Sequence, residues 1–486
     1  MPATSAPRPA AGAPPHAPAP GSRLVPLAVG GLVAVLYLWW SLLQWRRGEV
    51  PSWDLAIFTQ LARSYAEGRG PEVHVKGHGY NLLGDHFHPV LVLLGPLYAL
   101  FPSALTLLVL QDLLMGVCAW AIARSGVRLL GRGPGAALGL ACGLSFGLQA
   151  AVAVQFHEVA VAVPLLALSL GALVERRWSA AAAWAAPVAL VKEDLGLTVA
   201  VLGLVLARRA RAAGAPARPG LLLAGWGTAC SVLAVTVVLP ALNPAGEFAY
   251  ADRLDPAAVL ADPLGALTAL VVPGRKALTW LALVLTGAVL ALRSPLALVA
   301  LPTLLWRMLS PEPGYWGTGW HYSAVLMPVV LAALLDAVVR LRASRRPGAV
   351  RLGRAGPWAA LGVALVLLPA HPLGDLADPA AYRPDPRAAA KEAVLAAVPE
   401  GASVATDLTL LHRLVPRAEV HWLGSTGDPA PDLVVVDRAG TAWGGSPPGD
   451  VAAWAEQRYG AAYEPVREQE HLVVVRRTGR AGPPVR

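Results

Sequence analysis

WHYSAVLMPVVLAALLDAVVRLRASRRPGAVRLGR, from Trp320 to Arg354, holds the plan of the chain in miniature. A polar aromatic motif, Trp320-His321-Tyr322, opens it. An apolar run over 322–340 follows, close to the ~20 residues that a helix needs to cross a hydrocarbon core of about 30 Å. Arg340, Arg342, Arg345, Arg346, Arg351 and Arg354 close it. Short arginine-rich loops stay on the cytoplasmic side of a membrane. The stretch therefore reads as one span, with its basic end inside and its aromatic motif outside.

The same pattern recurs from Leu24 to about Pro369. Hydrophobic residues make up 55% of the chain and charged residues 15%, which excludes an ordinary soluble protein and predicts an α-helical polytopic membrane protein. The net charge of +9 needs no nucleic acid to explain it, because the arginines sit in loops between apolar runs. Further basic clusters are Arg124, Arg128 and Arg132; Arg176 and Arg177; and Arg208, Arg209, Arg211 and Arg218. Placing them inside predicts about eleven spans, at 24–43, 104–123, 135–154, 159–174, 179–191, 194–207, 220–241, 277–292, 295–309, 322–340 and 355–370. The N-terminus is then cytoplasmic and the C-terminal region extracytoplasmic. Arg46 and Arg47 oppose this orientation. The pieces 179–191 and 194–207 are short for spans and read as a helical hairpin with Lys192-Glu193-Asp194 at its turn.

Three regions follow. Residues 1–22, rich in proline and alanine, read as a disordered cytoplasmic tail. Residues 23–371 form the transmembrane domain, with a large first outer loop over 45–103. Residues 372–486 form an extracytoplasmic α/β domain, with strands expected at 402–405, 418–422, 432–436 and 472–475 and helices near 387–397 and 450–457. No glycine-rich nucleotide loop precedes those helices, so the domain reads as a cap on the membrane cavity. Cys118, Cys142 and Cys230 all lie in apolar segments and provide no disulfide framework.

Five polar motifs interrupt the apolar stretches, and the topology puts all of them on the outer side: Trp53-Asp54-Leu55-Ala56-Ile57-Phe58, Gly84-Asp85-His86-Phe87-His88-Pro89, Phe156-His157-Glu158, Lys192-Glu193-Asp194 and Trp320-His321-Tyr322. Ionisable groups near membrane depth are costly and mark functional sites. Ser52 is placed to cap a helix from Trp53 to about Glu67, with Leu55, Ile57, Phe58 and Leu61 against the membrane. Asp54 in its first turn has two readings, a partner for the helix dipole or a catalytic acid. Asp85, His86, His88, His157 and Glu158 combine imidazole and carboxylate, which suits a divalent metal; hydrogen bonding is the other reading of these groups. Trp320 and Tyr322 fit an interfacial aromatic belt or the wall of a sugar or isoprenoid site, and His321 is what a belt does not require. Metalloprotease, nucleophile-elbow and phosphate-loop motifs do not occur.

The runs WDLAIFTQ at 53–60, GDHFHPVLVLLGPLY at 84–98, QFHEVAVAVPLL at 155–166, VKEDLGL at 191–197 and WHYSAVLMP at 320–328 resemble a domain-of-unknown-function family of predicted multi-pass membrane proteins. ASVATDLTLLHRLVPR and DLVVVD, in the C-terminal region, extend the likeness. That family in turn resembles the GT-C class of integral-membrane glycosyltransferases, the fold of protein mannosyltransferases and lipid A aminoarabinose transferase. The resemblance implies a GT-C-like fold and a sugar moved from a polyprenyl-phosphate carrier to an extracytoplasmic acceptor. Asp54 occupies the place of the acidic residue after the first span, the general base of such a transfer. It lacks the paired acid of several members, since Trp53 and Leu55 flank it. Lys192, Glu193, Asp194, Trp320, His321 and Tyr322 are the expected substrate-binding groups. Divalent metal serves some members of that class and not others. A transporter or lipid flippase, or a non-catalytic envelope-assembly protein, are the alternative functions.

Overall fold

The computed structural model describes residues 23–253, 255–440 and 446–479. The expected disordered tail over 1–22 lies outside the described residues. Among these, six helices have the length and composition to cross a membrane: Leu24–Arg46, Ala104–Leu130, Arg132–Ala153, Arg218–Leu242, His321–Arg342 and Pro347–Ala370. Pro263–Ala269 and Gly274–Thr286, bent by 65°, make a seventh if taken as one broken span. The count falls short of eleven because of length. Val159–Val174 has 16 residues, or about 24 Å at 1.5 Å per residue, short of a core of about 30 Å. Trp178–Leu190 and Pro295–Leu309 are shorter still. Leu195–Ala212 spends its last turn on arginines.

Small residues let the helices approach closely, as helix association in lipid requires. A Cβ on Gly30 would sit 2.8 Å from Gly116 O, and one on Gly116 would sit 2.8 Å from Gly30 O. Gly203 and Gly220 make the same contact between Leu195–Ala212 and the start of Arg218–Leu242, at 2.6 Å in each direction.

The arginine clusters collect at one end of the bundle. Buried Asp336 takes ion pairs from Arg209 at 2.7 Å and Arg340 at 2.9 Å, and a hydrogen bond from Ser294 at 2.6 Å. Arg342 donates to Leu130 O at 3.2 Å, and Arg128 pairs with Glu175 at 3.0 Å. His321 starts the same span that Arg342 ends. The polar motif and the basic loop are thus separated by the length of a helix. Arg47, at the end opposite the clusters, pairs with Glu49 at 2.9 Å.

The C-terminal region carries a five-stranded sheet in the order β2-β1-β3-β5-β4. Strands β1 (Ser403–Thr406), β2 (Glu419–Trp422) and β3 (Leu433–Asp437) are parallel, and β4 (Tyr463–Gln469) and β5 (Leu472–Arg477) form an antiparallel hairpin added to β3. Helices Ala388–Ala397 and Val451–Tyr459 match the expected positions. Only β4 escaped the sequence reading. It is an edge strand, with Pro465 and charged residues along an exposed face, and edges of that kind carry no apolar alternation.

The Asp54–Ala66 helix joins the two regions, and two expectations about it are corrected. Trp53 occupies the N-cap position, and Ser52 Oγ accepts only the Asp54 N–H, at 3.3 Å. Leu55, Ile57, Phe58 and Leu61 are covered by protein, not lipid, because the helix lies between the bundle and the C-terminal sheet. Gln60 donates to Val420 O at 3.1 Å and accepts the Val75 N–H at 2.8 Å. Arg63 donates to Val415 O and Ala418 O, each at 2.7 Å.

Two outcomes are expected from this architecture. In a background lacking the three cysteines, Cys at Gly79 or Ser446 reacts with an impermeant thiol reagent in intact cells, whereas Cys at Ser344 reacts only after permeabilisation; labelling of Ser344 in intact cells would reverse the orientation. Gly203→Val, which forces two backbones apart, lowers the stability of the purified protein by about 1–3 kcal/mol, read from denaturant unfolding.

Candidate functional site

Each motif sits at the start, end or break of a helix. Asp54 is the first residue of its helix. His157 and Glu158 occupy the break between Phe146–Ala153 and Val159–Val174. Gln155 makes that break, at φ 71°, a left-handed conformation that costs a non-glycine residue of order 1–3 kcal/mol. Its side chain holds the turn by donating to Gln44 Oε1 at 3.3 Å and Glu49 O at 3.2 Å. Lys192-Glu193-Asp194 lies between the 3₁₀ turn Ala186–Leu190 and Leu195–Ala212, the hairpin turn expected from the sequence. Gly84 lets the 84–89 turn press on the end of another span: Asn243 Nδ2 donates to Gly84 O at 3.0 Å, where any Cβ on Gly84 would collide with Leu242 O. Buried Arg307 supports the last motif, donating to Tyr315 O at 2.9 Å, Gly317 O at 2.9 Å, Tyr322 O at 3.3 Å and Ser323 Oγ at 3.2 Å.

These five segments line one cavity of about 400 Å³. Its charges are matched in pairs. Asp54 Oδ2 is 3.3 Å from His157 Nε2, Glu158 Oε1 is 2.7 Å from Lys192 Nζ, Glu193 Oε1 is 2.8 Å from His86 Nδ1, and Asp85 Oδ2 is 2.8 Å from Lys76 Nζ. His157 stacks on His321 with ring centroids 3.8 Å apart, and His86 stacks on Tyr250 at 4.6 Å. Tyr250 also donates to Asp85 Oδ1 at 3.1 Å.

The pairing sets the protonation states. Burial pushes the Asp54 carboxyl up, but His157 beside it prevails and holds it at about 2. Burial likewise disfavours the charged form of His157, yet Asp54 and Glu158 keep it above the ordinary imidazole value. With Nδ1 3.2 Å from Gln155 O and donating to it, Nε2 donates to Asp54 only in the protonated ring. Against the same desolvation, Lys192 holds Glu158 at about 2 and His86 holds Glu193 at about 2. Asp194 goes the other way, to about 6, because burial and the neighbouring Glu193 both oppose its charge. It accepts from Trp306 Nε1 at 2.9 Å. Burial takes His88 down to about 4, and among the described residues neither of its nitrogens has a hydrogen-bond partner.

All twelve residues expected at the site line this cavity. Among the described residues, Asp85, His86, His88, His157 and Glu158 supply no group of three ligand atoms within 4.8 Å of one another. Lysines hold the carboxylates of Asp85 and Glu158, and Glu193 and Asp54 engage His86 and His157. Among the described residues, three ligand atoms within 4.8 Å of one another occur elsewhere, at His74, His78 and Glu419. Of the aromatic cluster, Tyr315, Trp320 and Tyr322 face the cavity, whereas Trp316 turns away to donate to Ser310 O at 2.9 Å.

Lys76, Tyr250, Arg253 and Trp306 line the cavity without having been singled out. Lys76 belongs to the loop that carries the 84–89 motif, and Phe248 to Arg253 is a polar aromatic stretch between apolar runs, the same signal as the five motifs. Arg307, a lone cation in an apolar run, carried a signal too.

A search of curated protein sequences gives no match. Among solved structures, the chain is similar to ArnT from Cupriavidus metallidurans, crystallised with undecaprenyl phosphate bound. The two share 16% identity, with a TM-score of 0.51 over 96% of this chain and 100% of that one. At that identity the likeness establishes the fold alone, which is ArnT-like. The sequence family described as predicted membrane protein (DUF2079) matches residues 50–474. That match takes in nearly every element of the bundle and the sheet, and the protein belongs to this family.

Proposed function

We propose that this protein transfers a sugar from a polyprenyl-phosphate carrier to an acceptor on the outer side of the membrane. The observation that carries the reading is the meeting of all five polar motifs in one cavity, at the end of an apolar bundle away from the arginine loops. Such a cavity offers cations to a phosphate and apolar walls to an isoprenoid tail. The fold likeness to a protein that binds undecaprenyl phosphate supports the same substrate class.

Lys192 is the principal charge for the donor phosphate. Its field reaches Asp54, His86, Glu158 and Asp194, and a cation aimed at the leaving phosphate stabilises the charge that develops there. Glu193, Asp194, Trp320, His321 and Tyr322 form the sugar-binding wall, and His86, His88 and His157 orient phosphate or sugar. Asp54 is the most accessible acid of the four ion pairs, with its side chain 26% exposed against 2% for Glu158, 8% for Glu193 and 10% for Asp85. It takes the proton of an acceptor hydroxyl as that oxygen attacks the anomeric carbon and the bond to phosphate breaks. A carboxyl held at about 2 is a weak base. Its basicity rises when an entering phosphate draws the His157 charge away, so the pair couples donor binding to base strength.

Asp54→Asn keeps the size of the side chain and removes the base. Transfer from a lipid-linked sugar by the purified variant is expected to fall by roughly 10²–10⁴-fold, with donor binding changed far less. Near-normal transfer rejects the assignment, and no consumption of any polyprenyl-phosphate sugar by wild type rejects the function.

The Asp54–His157 pair also predicts a pH-dependent stability. The native His157 value lies above its ordinary 6.5, so its contribution is complete below 6.5 and is lost as pH rises through the native value. Asp54 falls from 3.8 to about 2, so its contribution is complete above 3.8 and lost only as pH falls through about 2. The gap in melting temperature between wild type and Asp54→Asn is therefore wide at about pH 6 and narrows by about pH 9. A gap that stays constant means that the two groups do not form an ion pair.

A further inference from the structure

Where the outer loop meets the C-terminal sheet, three imidazoles gather around carboxylates that the cavity does not use. His74 and His78 stack with centroids 5.2 Å apart, and His421 lies 5.4 Å from the first and 6.0 Å from the second. Glu419 Oε1 is 3.5 Å from His74 Nε2 and 3.6 Å from His421 Nε2. Asp428 Oδ2 is 3.7 Å from His421 Nδ1, and its Oδ1 accepts the His78 N–H at 2.8 Å. One ligand atom each from His74, His78 and Glu419 lies within 4.8 Å of the other two. The separations of 3.5 and 3.6 Å from Glu419 to His74 and His421 are long for hydrogen bonds. They suit donors shared by one ion, since bonds of about 2.1 Å place neighbouring tetrahedral ligands about 3.4 Å apart.

His421 is an independent sign. Its side chain is 1% exposed, and among the described residues neither ring nitrogen has a hydrogen-bond partner. A buried polar group left so is costly unless something else satisfies it.

We propose that His74, His78 and Glu419, with His421 completing the set, bind one divalent transition-metal ion of the zinc type. Imidazoles with a carboxylate suit such an ion. The proposal is independent of the transferase reading. Without the ion, the Gly79 N–H donates to His74 Nδ1 at 3.0 Å, which leaves the ring proton on Nε2. Ligation through Nε2 requires the other tautomer, so the Gly79 amide must turn away. Gly77 and Gly79, at φ 133° and 69°, give that turn its freedom. The ion then acts as a clasp. It ties the turn next to Lys76 to strand β2, whose Trp422 packs on Trp53 with centroids 4.6 Å apart, beside Asp54.

The test uses full-length purified protein, stripped with a chelator and titrated with zinc chloride by calorimetry, with bound metal counted after dialysis. One equivalent is expected. Binding weakens more than about tenfold in His78→Gln and in His421→Asn and is unchanged in His86→Gln, which alters the cavity instead. His78 is exposed, so its variant removes a ligand without disturbing the core. Absence of saturable binding, retention of full affinity by His78→Gln, or loss of binding in His86→Gln each overturns the proposal.

Discussion

Charges withdrawn from water have to find one another, and that requirement organises the cavity end of this bundle. An unpaired buried ion costs several kcal/mol, and pairing returns most of it only where the geometry is good. Glu158 and Lys192 meet from two different helix breaks, His86 and Glu193 from a loop and a hairpin turn, and Asp54 and His157 from a helix start and a strained turn. Each pair joins segments far apart in sequence. Together they fix the relative position of the motifs more sharply than apolar packing does, because a slip of one residue would leave a bare charge. The same pairing keeps the resting cavity electrically balanced, so a phosphate entering it must exchange partners with groups already in place.

Broken helices make this arrangement available. A continuous helix satisfies its own backbone and presents side chains sideways; a broken one ends in free amides and carbonyls that need protein or water around them. Here the breaks at 154–158 and 191–194 are both covered. Gln44, Glu49 O and Ser231 provide the hydrogen bonds that the turns require. The helices beyond those breaks, Val159–Val174 and Leu195–Ala212, are among those too short or too charged to count as full spans.

The C-terminal sheet is more than an appendage. It docks through main-chain acceptors, with Gln60 and Arg63 reaching backbone oxygens at 415, 418 and 420. Its β2 edge presents Trp422 to Trp53 and His421 to the loop that carries His74 and His78. The helix that starts with Asp54 is thereby held between bundle and sheet.

From the sequence by itself, the membrane class, the helical bundle, the sheet but for its edge strand and the shared location of the five motifs could be read. Those properties follow from local chemistry. Apolar runs have a length, arginine clusters mark one end, and an ionisable residue in an apolar stretch needs a reason to be there. Whether 159–174 or 295–309 crosses the membrane was not legible, because composition cannot distinguish a short enclosed helix from a span. Nor was the partner of each charge. Asp85, His86, His88, His157 and Glu158 read as one ligand set because their side chains suit metals, but only the fold brings Lys76 and Lys192 to the carboxylates and Asp54 and Glu193 to the imidazoles. The cluster at His74, His78 and Glu419 lies in two segments more than three hundred residues apart in the chain, and no local pattern links them. Tertiary structure decided these pairings, because an ionic contact depends on distance in space and sequence records only distance along the chain.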